Sequence, residues 1–295
     1  MVTGSKHEVS ASHEETTPVV APEPTPPSGR SLAQAVVTAL ILLGLVVVCY
    51  LLGRNAFFVL ATTVVLIALF ELLDALVQKG HRPSIPFGVL CGFGMLFAAY
   101  LERPVLLPVV VAATLFGSFV LALRPDRGPT PATDVAWTVF GVVWVGGGGA
   151  GAVSILMIEP QDGTFLLIAT FLSIAVGDIC AYFVGTRYGQ RKLAPSISPG
   201  KSWEGFFAGI IGSLAGGALF GGLLFDLSLA EGLGVGAIVA FLAPAGDLVE
   251  SLAKRELGIK DSGRLLPGHG GFLDRLDAIL FCCPVVYLFL RFIVI

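Results

Sequence analysis

Nine apolar stretches, each long enough to cross a lipid bilayer, constrain the fold of this chain more than any other feature. They cover residues 33–52, 56–77, 85–101, 105–123, 135–158, 164–184, 205–225, 232–250 and 276–295. A helix needs about 17–25 apolar residues to cross the hydrocarbon core. Only 13% of the residues are charged, whereas a soluble domain carries about 25%. The sequence therefore predicts an all-α polytopic membrane protein with about nine transmembrane helices, and it excludes an ordinary soluble enzyme.

The distribution of Lys and Arg predicts the orientation of these helices. Positive residues concentrate in the cytoplasmic loops of membrane proteins. If the N-terminus is cytoplasmic, all but three of the 18 Lys and Arg residues face the cytoplasm, and the exceptions are Arg54, Arg103 and Arg291. We therefore expect a cytoplasmic N-terminus and a C-terminus on the outer side.

The chain divides into three regions. Residues 1–31 are rich in Pro, Ser, Thr and Glu, a composition typical of a disordered segment, here a cytoplasmic tail. Residues 32–160 form an N-terminal transmembrane bundle. Residues 161–295 contain two long, charged cytoplasmic loops, 185–204 and 251–275. Because the outer loops are short and carry little charge, we expect the chemistry in this last region, which we interpret as the catalytic transmembrane region.

Two acids lie near the inner end of the second apolar stretch, Glu71 and Asp74. A charged side chain in the middle of a span costs about 2.5–3.5 kcal/mol, so each one needs an explanation. These two are one helical turn apart and close in sequence to Lys79 and Arg82. We therefore favour a structural interpretation, in which they pair with the neighbouring basic loop.

Asp178 lies deeper, within the sixth stretch, and no span supplies it with a basic partner. Tyr182, Gly185 and Gly189 follow at i+4, i+7 and i+11, which places all four residues on one helical face that runs toward the inner loop. An intramembrane acid without a partner indicates a functional site.

The loop that follows carries a Gly-Lys-Ser sequence at residues 200–202. It is not a P-loop, because that motif requires Gly where Pro195 stands. Ser198 and Pro199 instead predict the beginning of a helix, with Lys201 in its first turn. The free N–H groups of a helix N-terminus bind phosphate, so we interpret this segment as a phosphate contact.

A polar stripe closes the eighth stretch, where Asp247, Glu250, Ser251 and Lys254 have the spacing i, i+3, i+4 and i+7. About twenty residues later, the segment 267–277 contains His-Gly-Gly and two acids one turn apart. Carboxylates without a Cys or His cluster, beside many cations, fit Mg²⁺ bound through acids and substrate phosphates. The residues therefore indicate metal-assisted phosphoryl or nucleotidyl transfer at the inner membrane surface.

These motifs form two longer patterns. The first comprises Asp178, Ala181-Tyr182, Gly185, Gly189, Ile197-Ser198-Pro199, Lys201-Ser202 and Glu204-Gly205. The second comprises Ser251, Lys254-Arg255, Lys260-Asp261, Pro267, His269-Gly270-Gly271, Asp274-Arg275 and Asp277. The region 178–277 closely resembles the phosphatidate cytidylyltransferase family, also called CDP-diacylglycerol synthase. The departures are Ala253, where a larger side chain is usual, and Ser202, where Thr is usual.

The resemblance implies that CTP and phosphatidic acid react to give CDP-diacylglycerol and pyrophosphate. It also implies a Mg²⁺ centre held by Asp247 and Asp274, with K⁺ nearby, and a homodimer. The expected catalytic residues are Asp247, Asp274, Lys254, Arg255, Lys260 and His269. The expected substrate-binding residues are Asp178, Tyr182, Ser198, Lys201, Ser202, Glu204, Ser251, Asp261, Gly270, Gly271, Arg275 and Asp277.

We expect the lipid substrate to come from the inner leaflet of the cell (inner) membrane and CTP to come from the cytosol, with no nucleic-acid partner. Two alternatives remain open. A transporter or channel would need a polar path to the outer face, whereas the polar residues here stop in the inner half. A membrane phosphotransferase acting on polyprenyl phosphate would also need Mg²⁺ and basic inner loops.

Overall fold

The computed structural model describes residues 32–124, 130–158, 162–225, 227–259, 261–263 and 270–294. Its helices are α1 (Leu32–Leu52), α2 (Arg54–Gln78), α3 (Ile85–Tyr100), α4 (Leu106–Ala122), α5 (Pro131–Gly141), α6 (Gly147–Leu156), α7 (Asp162–Tyr188), α8 (Trp203–Phe225), α9 (Leu229–Glu256) and α10 (Leu273–Phe289). A π-helical turn, Val142–Gly146, joins α5 to α6, and a second one, Leu290–Val294, follows α10. The strands β1 (Lys192–Ala194) and β2 (Ser198–Ser202) form an antiparallel hairpin.

All nine predicted apolar stretches are helical in the described residues. Six helices are long and apolar enough to cross a membrane: Arg54–Gln78, Pro131–Leu156, Gly163–Tyr188, Trp203–Leu223, Leu229–Glu256 and Leu273–Val294. The apolar parts of the other three, Leu40–Leu52, Ile85–Tyr100 and Leu106–Ala122, are shorter. The prediction of a helical, multi-pass membrane protein is therefore confirmed at this level. The count of nine spans and the orientation of the termini stay predictions.

The prediction that a helix begins at Ser198 and Pro199 is wrong. Residues 198–202 form β2, and α8 begins only at Trp203. The Ser202 hydroxyl, rather than that of Ser198, caps the helix by accepting a hydrogen bond from the Gly205 N–H (3.2 Å). Pairing with β1 satisfies backbone groups of this segment that a helix would otherwise satisfy.

The two predicted cytoplasmic loops are shorter than their sequence boundaries. α7 continues to Tyr188, so its end includes the first residues of the 185–204 segment. α9 continues to Glu256 and likewise includes the first residues of the 251–275 segment. The beginning of α10 at Leu273 also shortens the second one. The proposed tail, residues 1–31, lies outside the described residues.

Two groups of helices pack side by side. α7, α8 and α9 run along one another, and α10 joins this group to α6, α3 and α2. Gly217 of α8 and Gly236 of α9 meet backbone to backbone, because a Cβ atom on Gly217 would lie 2.7 Å from the Gly236 Cα. Small residues at these positions let the helices approach closely.

Candidate active site

A cavity of about 420 Å³ lies between α7, α8, α9 and the β1–β2 hairpin. The α7 residues that line it include Asp178 and Tyr182. β2 contributes Ser198 and Lys201, and α9 contributes Asp247. The hairpin thus brings together residues from the two sequence motifs that predicted a site, which lie more than 40 positions apart in the sequence.

Lys201 is the main cation of this cavity among the described residues. Its Nζ atom lies 2.7 Å from the Asp247 Oδ2 atom. The Ser251 hydroxyl, one turn further along α9, donates to the Asp247 Oδ1 atom at 3.5 Å. Asp178, across the cavity, interacts electrostatically with both Lys201 and Asp247. No spanning helix supplies Asp178 with a basic partner in the sequence-based prediction. In the structure, Lys201 of the hairpin is that partner.

Three carboxylates converge beside this cavity. Ligand oxygens of Asp247, Glu250 and Asp277 lie within 4.8 Å of one another. Asp247 and Glu250 are one turn apart on α9, and Asp277 comes from the first turns of α10. We call these three residues the carboxylate cluster. Sequence reasoning assigned a role to Asp247 and Asp277 but not to Glu250, although Glu250 belongs to the predicted polar stripe.

Glu250 is the most buried member of the cluster, with 2% of its surface exposed. The Lys254 Nζ atom lies 3.1 Å from its Oε1 atom, at an ion-pair distance. That contact does not meet hydrogen-bond geometry, so this buried oxygen has no hydrogen bond among the described residues. A buried carboxylate oxygen at an ion-pair distance from one lysine, next to two other carboxylates, offers an oxygen ligand of the kind that a hard divalent cation prefers.

Asp274 has a different environment from the carboxylate cluster. Its Oδ1 atom lies 3.0 Å from the Lys254 Nζ atom. The backbone N–H groups of Ser262 and Gly271 donate to the same carboxylate at 3.1 and 2.9 Å. Asp274 therefore holds Lys254 and the surrounding loop, and its assignment as a metal ligand stays a prediction.

Glu71 of α2 lies beside the segment that precedes α10. It binds Leu273, which is 202 positions later in the sequence. Its Oε2 atom accepts a hydrogen bond from the Leu273 N–H (3.1 Å), and only 5% of the residue is exposed. A Cβ atom on Gly271 would lie 2.6 Å from the same Oε2 atom. The structural interpretation, pairing with Lys79 or Arg82, missed this contact. The one sequence signal that could have indicated it was the free-energy cost of placing an acid within a span.

Other predicted site residues stabilise the hairpin. The Arg255 Nε atom donates to the Ile197 carbonyl oxygen (3.3 Å). The Glu204 carboxylate accepts from the N–H groups of Gln190 (3.2 Å) and Arg191 (3.3 Å). These contacts connect the ends of α7, α8 and α9 around the cavity. The predicted roles of Arg255 and Glu204 in substrate binding stay predictions.

The remaining predicted residues lie in the segment before α10 or in the first turn of that helix. Gly270 has a left-handed backbone (φ 84°), and a Cβ atom there would lie 2.8 Å from the Asp274 Oδ2 atom. Asp261 and Arg275 are exposed. Lys260 and His269 lie outside the described residues.

Comparison with known proteins identifies the family of this chain. Residues 33–293 match the model of the cytidylyltransferase family. The chain belongs to this family. It is 33% identical over 281 residues to the phosphatidate cytidylyltransferase of Mycobacterium leprae, which covers 87% of this chain and 86% of the relative. The corresponding Mycobacterium bovis protein is 33% identical over 275 residues, or 86% of each chain. The Haemophilus influenzae protein is 40% identical over 140 residues, covering 46% of this chain and 49% of the relative.

The match spans nearly all of the described helices of this cytidylyltransferase, including those that form the cavity and the carboxylate cluster. The resemblance noted from residues 178–277 is therefore confirmed by the comparisons, and it extends over the N-terminal half. The chain is an enzyme of the nucleotidyltransferase class.

Proposed function

We propose that this cytidylyltransferase transfers CMP from CTP to phosphatidic acid and releases pyrophosphate. The observation that carries the proposal is a lysine, Lys201, held beside three converging carboxylates in a cavity between spanning helices. The lysine can bind a phosphate group, and the carboxylates can bind the metal ion that accompanies a nucleoside triphosphate. Relatives with the printed name phosphatidate cytidylyltransferase support the choice of substrates.

We further propose Mg²⁺ as the cofactor and the carboxylate cluster as its site. Asp247, Glu250 and Asp277 offer only oxygen ligands, which Mg²⁺ prefers. When bound, the ion would offset negative charge that develops on the phosphate oxygens. The alternative pair from the resemblance, Asp247 with Asp274, shares one ligand with this cluster. The nearby K⁺ stays a prediction.

The protein residues around the cavity have distinct roles in this mechanism. A nucleotide phosphate held near Asp247 is within reach of the Lys201 ammonium group, which lies 2.7 Å from that carboxylate. Lys254 holds Asp274 and Glu250 in place. A phosphate monoester has a second pKa of about 6 and is already ionised at neutral pH. Its oxygen attacks the α-phosphorus of CTP, and pyrophosphate leaves, without a strong protein base.

The surroundings of the cavity suit a lipid substrate. Tyr182, which lines the cavity, is 67% exposed, and Phe183, Trp203 and Phe207 are also exposed nearby. Aromatic side chains of this kind concentrate at the interface between the membrane and water. A lipid phosphate can therefore enter from the side of α7 and α8, while CTP enters from the water near the hairpin. The inner leaflet, the inner cell membrane and the homodimer are part of this proposal.

The substrate test uses the purified full chain with Mg²⁺. We expect pyrophosphate release with CTP and phosphatidic acid, and no release of nucleoside monophosphate from a nucleotide sugar with polyprenyl phosphate. The second pair tests the alternative phosphotransferase, whose leaving group is the nucleoside monophosphate. Nucleoside monophosphate release with the second pair alone, or no pyrophosphate release with CTP and phosphatidic acid, would overturn the proposed function.

Lys201→Gln is expected to lower kcat/KM for CTP by about 10- to 100-fold, because a charge-assisted phosphate contact contributes about 1.5–3 kcal/mol. Steady-state kinetics at varied CTP concentration measure the effect. Lys192→Gln is the matched control, since Lys192 is an exposed lysine of the same hairpin outside the cavity lining. An equal loss in both variants would contradict a specific role for Lys201.

A further inference from the structure

A second cavity with charged walls lies far from the carboxylate cluster. It has a volume of about 550 Å³ and is lined by the turn between α3 and α4, by α6, and by the end of α10. Glu102, Arg103 and Arg291 are its charged residues. Arg291 follows Asp277 by 14 positions of continuous helical structure, which corresponds to about 20 Å along the axis. The proposed active site does not use this cavity.

The backbone at Glu102 is strained. Glu102 has φ 54° and is the one non-glycine residue with a positive φ in the described part of the chain. Its N–H donates to the Ala99 carbonyl and that of Arg103 to the Ala98 carbonyl, which closes the end of α3. Glycine is the usual residue at such a helix end, because it adopts this conformation without strain. A carboxylate kept at a strained position indicates that the side chain has a function.

The three charges have no ion pairs with one another or with other described residues. Ion pairs elsewhere in the described residues include those of His81 with Asp134, Lys201 with Asp247, and Lys254 with two acids. Arg103 and Arg291 come from distant parts of the sequence, yet both face this cavity. Two guanidinium groups and one carboxylate in one cavity are complementary to a ligand with a phosphate and an amine.

Most of the remaining walls of the cavity are apolar, and the exceptions are the hydroxyl groups of Ser154 and Tyr287. Leu107, Ile158 and Leu288 line it beside the charged residues. Its lining shares Gly147 and Pro284 with a larger apolar cavity of about 830 Å³. Outside, Phe292 is 78% exposed, as expected for a surface that faces lipid. The cavity therefore suits a ligand that has a long apolar part as well as a charged head.

We propose that this cavity binds a phospholipid with an ethanolamine-type headgroup. The phosphate lies between Arg103 and Arg291, and the ammonium group faces Glu102. The acyl chains extend along the apolar walls toward Pro284. This site takes a lipid from the bilayer end opposite the carboxylate cluster, and it is separate from the binding of either substrate.

The test is a lipid-binding titration of the purified full chain in detergent, read by native mass spectrometry. We expect phosphatidylethanolamine to bind the wild-type chain more tightly than phosphatidylglycerol, which lacks the ammonium group. Glu102→Gly should weaken phosphatidylethanolamine binding about five- to tenfold and remove the preference. The melting temperature of its lipid-free form should not fall, because glycine relieves the strain.

Arg103→Gln and Arg291→Gln are each expected to weaken the binding of phosphatidylethanolamine and of phosphatidylglycerol, because the two lipids share the phosphate group. Arg54→Gln is the matched control, since Arg54 begins α2 at the same end of the bundle but does not line the cavity. Equal binding of the two lipids by the wild-type chain, an unchanged preference in Glu102→Gly, or an equal loss in Arg54→Gln would overturn the proposal. Competition by soluble phosphoethanolamine as effective as that by the lipid would do the same.

Discussion

Asp247→Asn is expected to lower kcat by at least about 100-fold, because Asp247 both belongs to the carboxylate cluster and holds Lys201. Removing one group that stabilises transition-state charge costs about 10²–10³ in kcat. Asn keeps the shape of the side chain and one oxygen, so the fold should be retained. Pyrophosphate release at saturating CTP and phosphatidic acid measures the effect. Activity within threefold of the wild type would contradict the metal site.

A series of four variants separates the two proposed ligand sets. If the carboxylate cluster binds Mg²⁺, then Asp247→Asn, Glu250→Gln and Asp277→Asn should all raise the Mg²⁺ concentration required for half-maximal activity. Asp274→Asn should lower kcat with a smaller change in that concentration, because Asp274 holds Lys254 and backbone N–H groups. If Asp274→Asn raises the Mg²⁺ requirement as much as Asp247→Asn while Glu250→Gln does not, the assignment from the resemblance is correct instead.

Glu71→Ala is expected to lower kcat by about 10- to 100-fold, although Glu71 does not line the substrate cavity. The buried carboxylate holds the Leu273 N–H at the beginning of α10 and lies against Gly271, in the segment just before Asp274. A hydrogen bond to a charged group contributes about 1.5–3 kcal/mol, so its loss should let this segment move. The KM for CTP should change less than kcat, because Lys201 and the hairpin are untouched. Kinetics at varied CTP concentration measure both constants.

Two further variants show whether Glu71 acts by positioning. Glu71→Gln keeps an oxygen that can accept the Leu273 N–H, so it should restore most of kcat. Asp74→Ala is the matched control, since Asp74 lies one turn later on α2, where it accepts a hydrogen bond from the Gln78 side chain (2.7 Å). If Glu71→Gln is as impaired as Glu71→Ala, or if Asp74→Ala loses as much activity, the positioning role is wrong. The fraction of folded protein, measured by gel filtration, distinguishes this effect from unfolding.

Much of the candidate site was predictable because its residues stand in short, regular patterns. The i, i+3, i+4, i+7 spacing from Asp247 to Lys254 predicted one polar face of α9, and the structure has that face. The role of Glu250 within it was not predictable. Its convergence with Asp277 depends on how α9 packs against α10, and sequence spacing within one helix carries no information about a neighbouring helix.

The hairpin shows why local signals failed at residues 198–202. Ser and Pro favour the first turn of a helix, and both are present there. The segment instead pairs with β1, and Arg255 of α9 donates to the Ile197 carbonyl in the turn. Contacts with the ends of three helices stabilise the strand, and such tertiary contacts override a weak local preference.

By itself the sequence determined that this chain is a helical membrane protein, and it identified candidate residues for its chemistry. A bilayer requires every spanning backbone group to be bonded within the span, so long apolar stretches must be helices. Only the tertiary structure decided which acids meet. Glu71 reaches Leu273 across 202 positions, and Lys201 reaches Asp247 from a hairpin. These contacts follow from the packing of helices against one another, which hydrophobicity alone does not specify because every spanning helix is apolar.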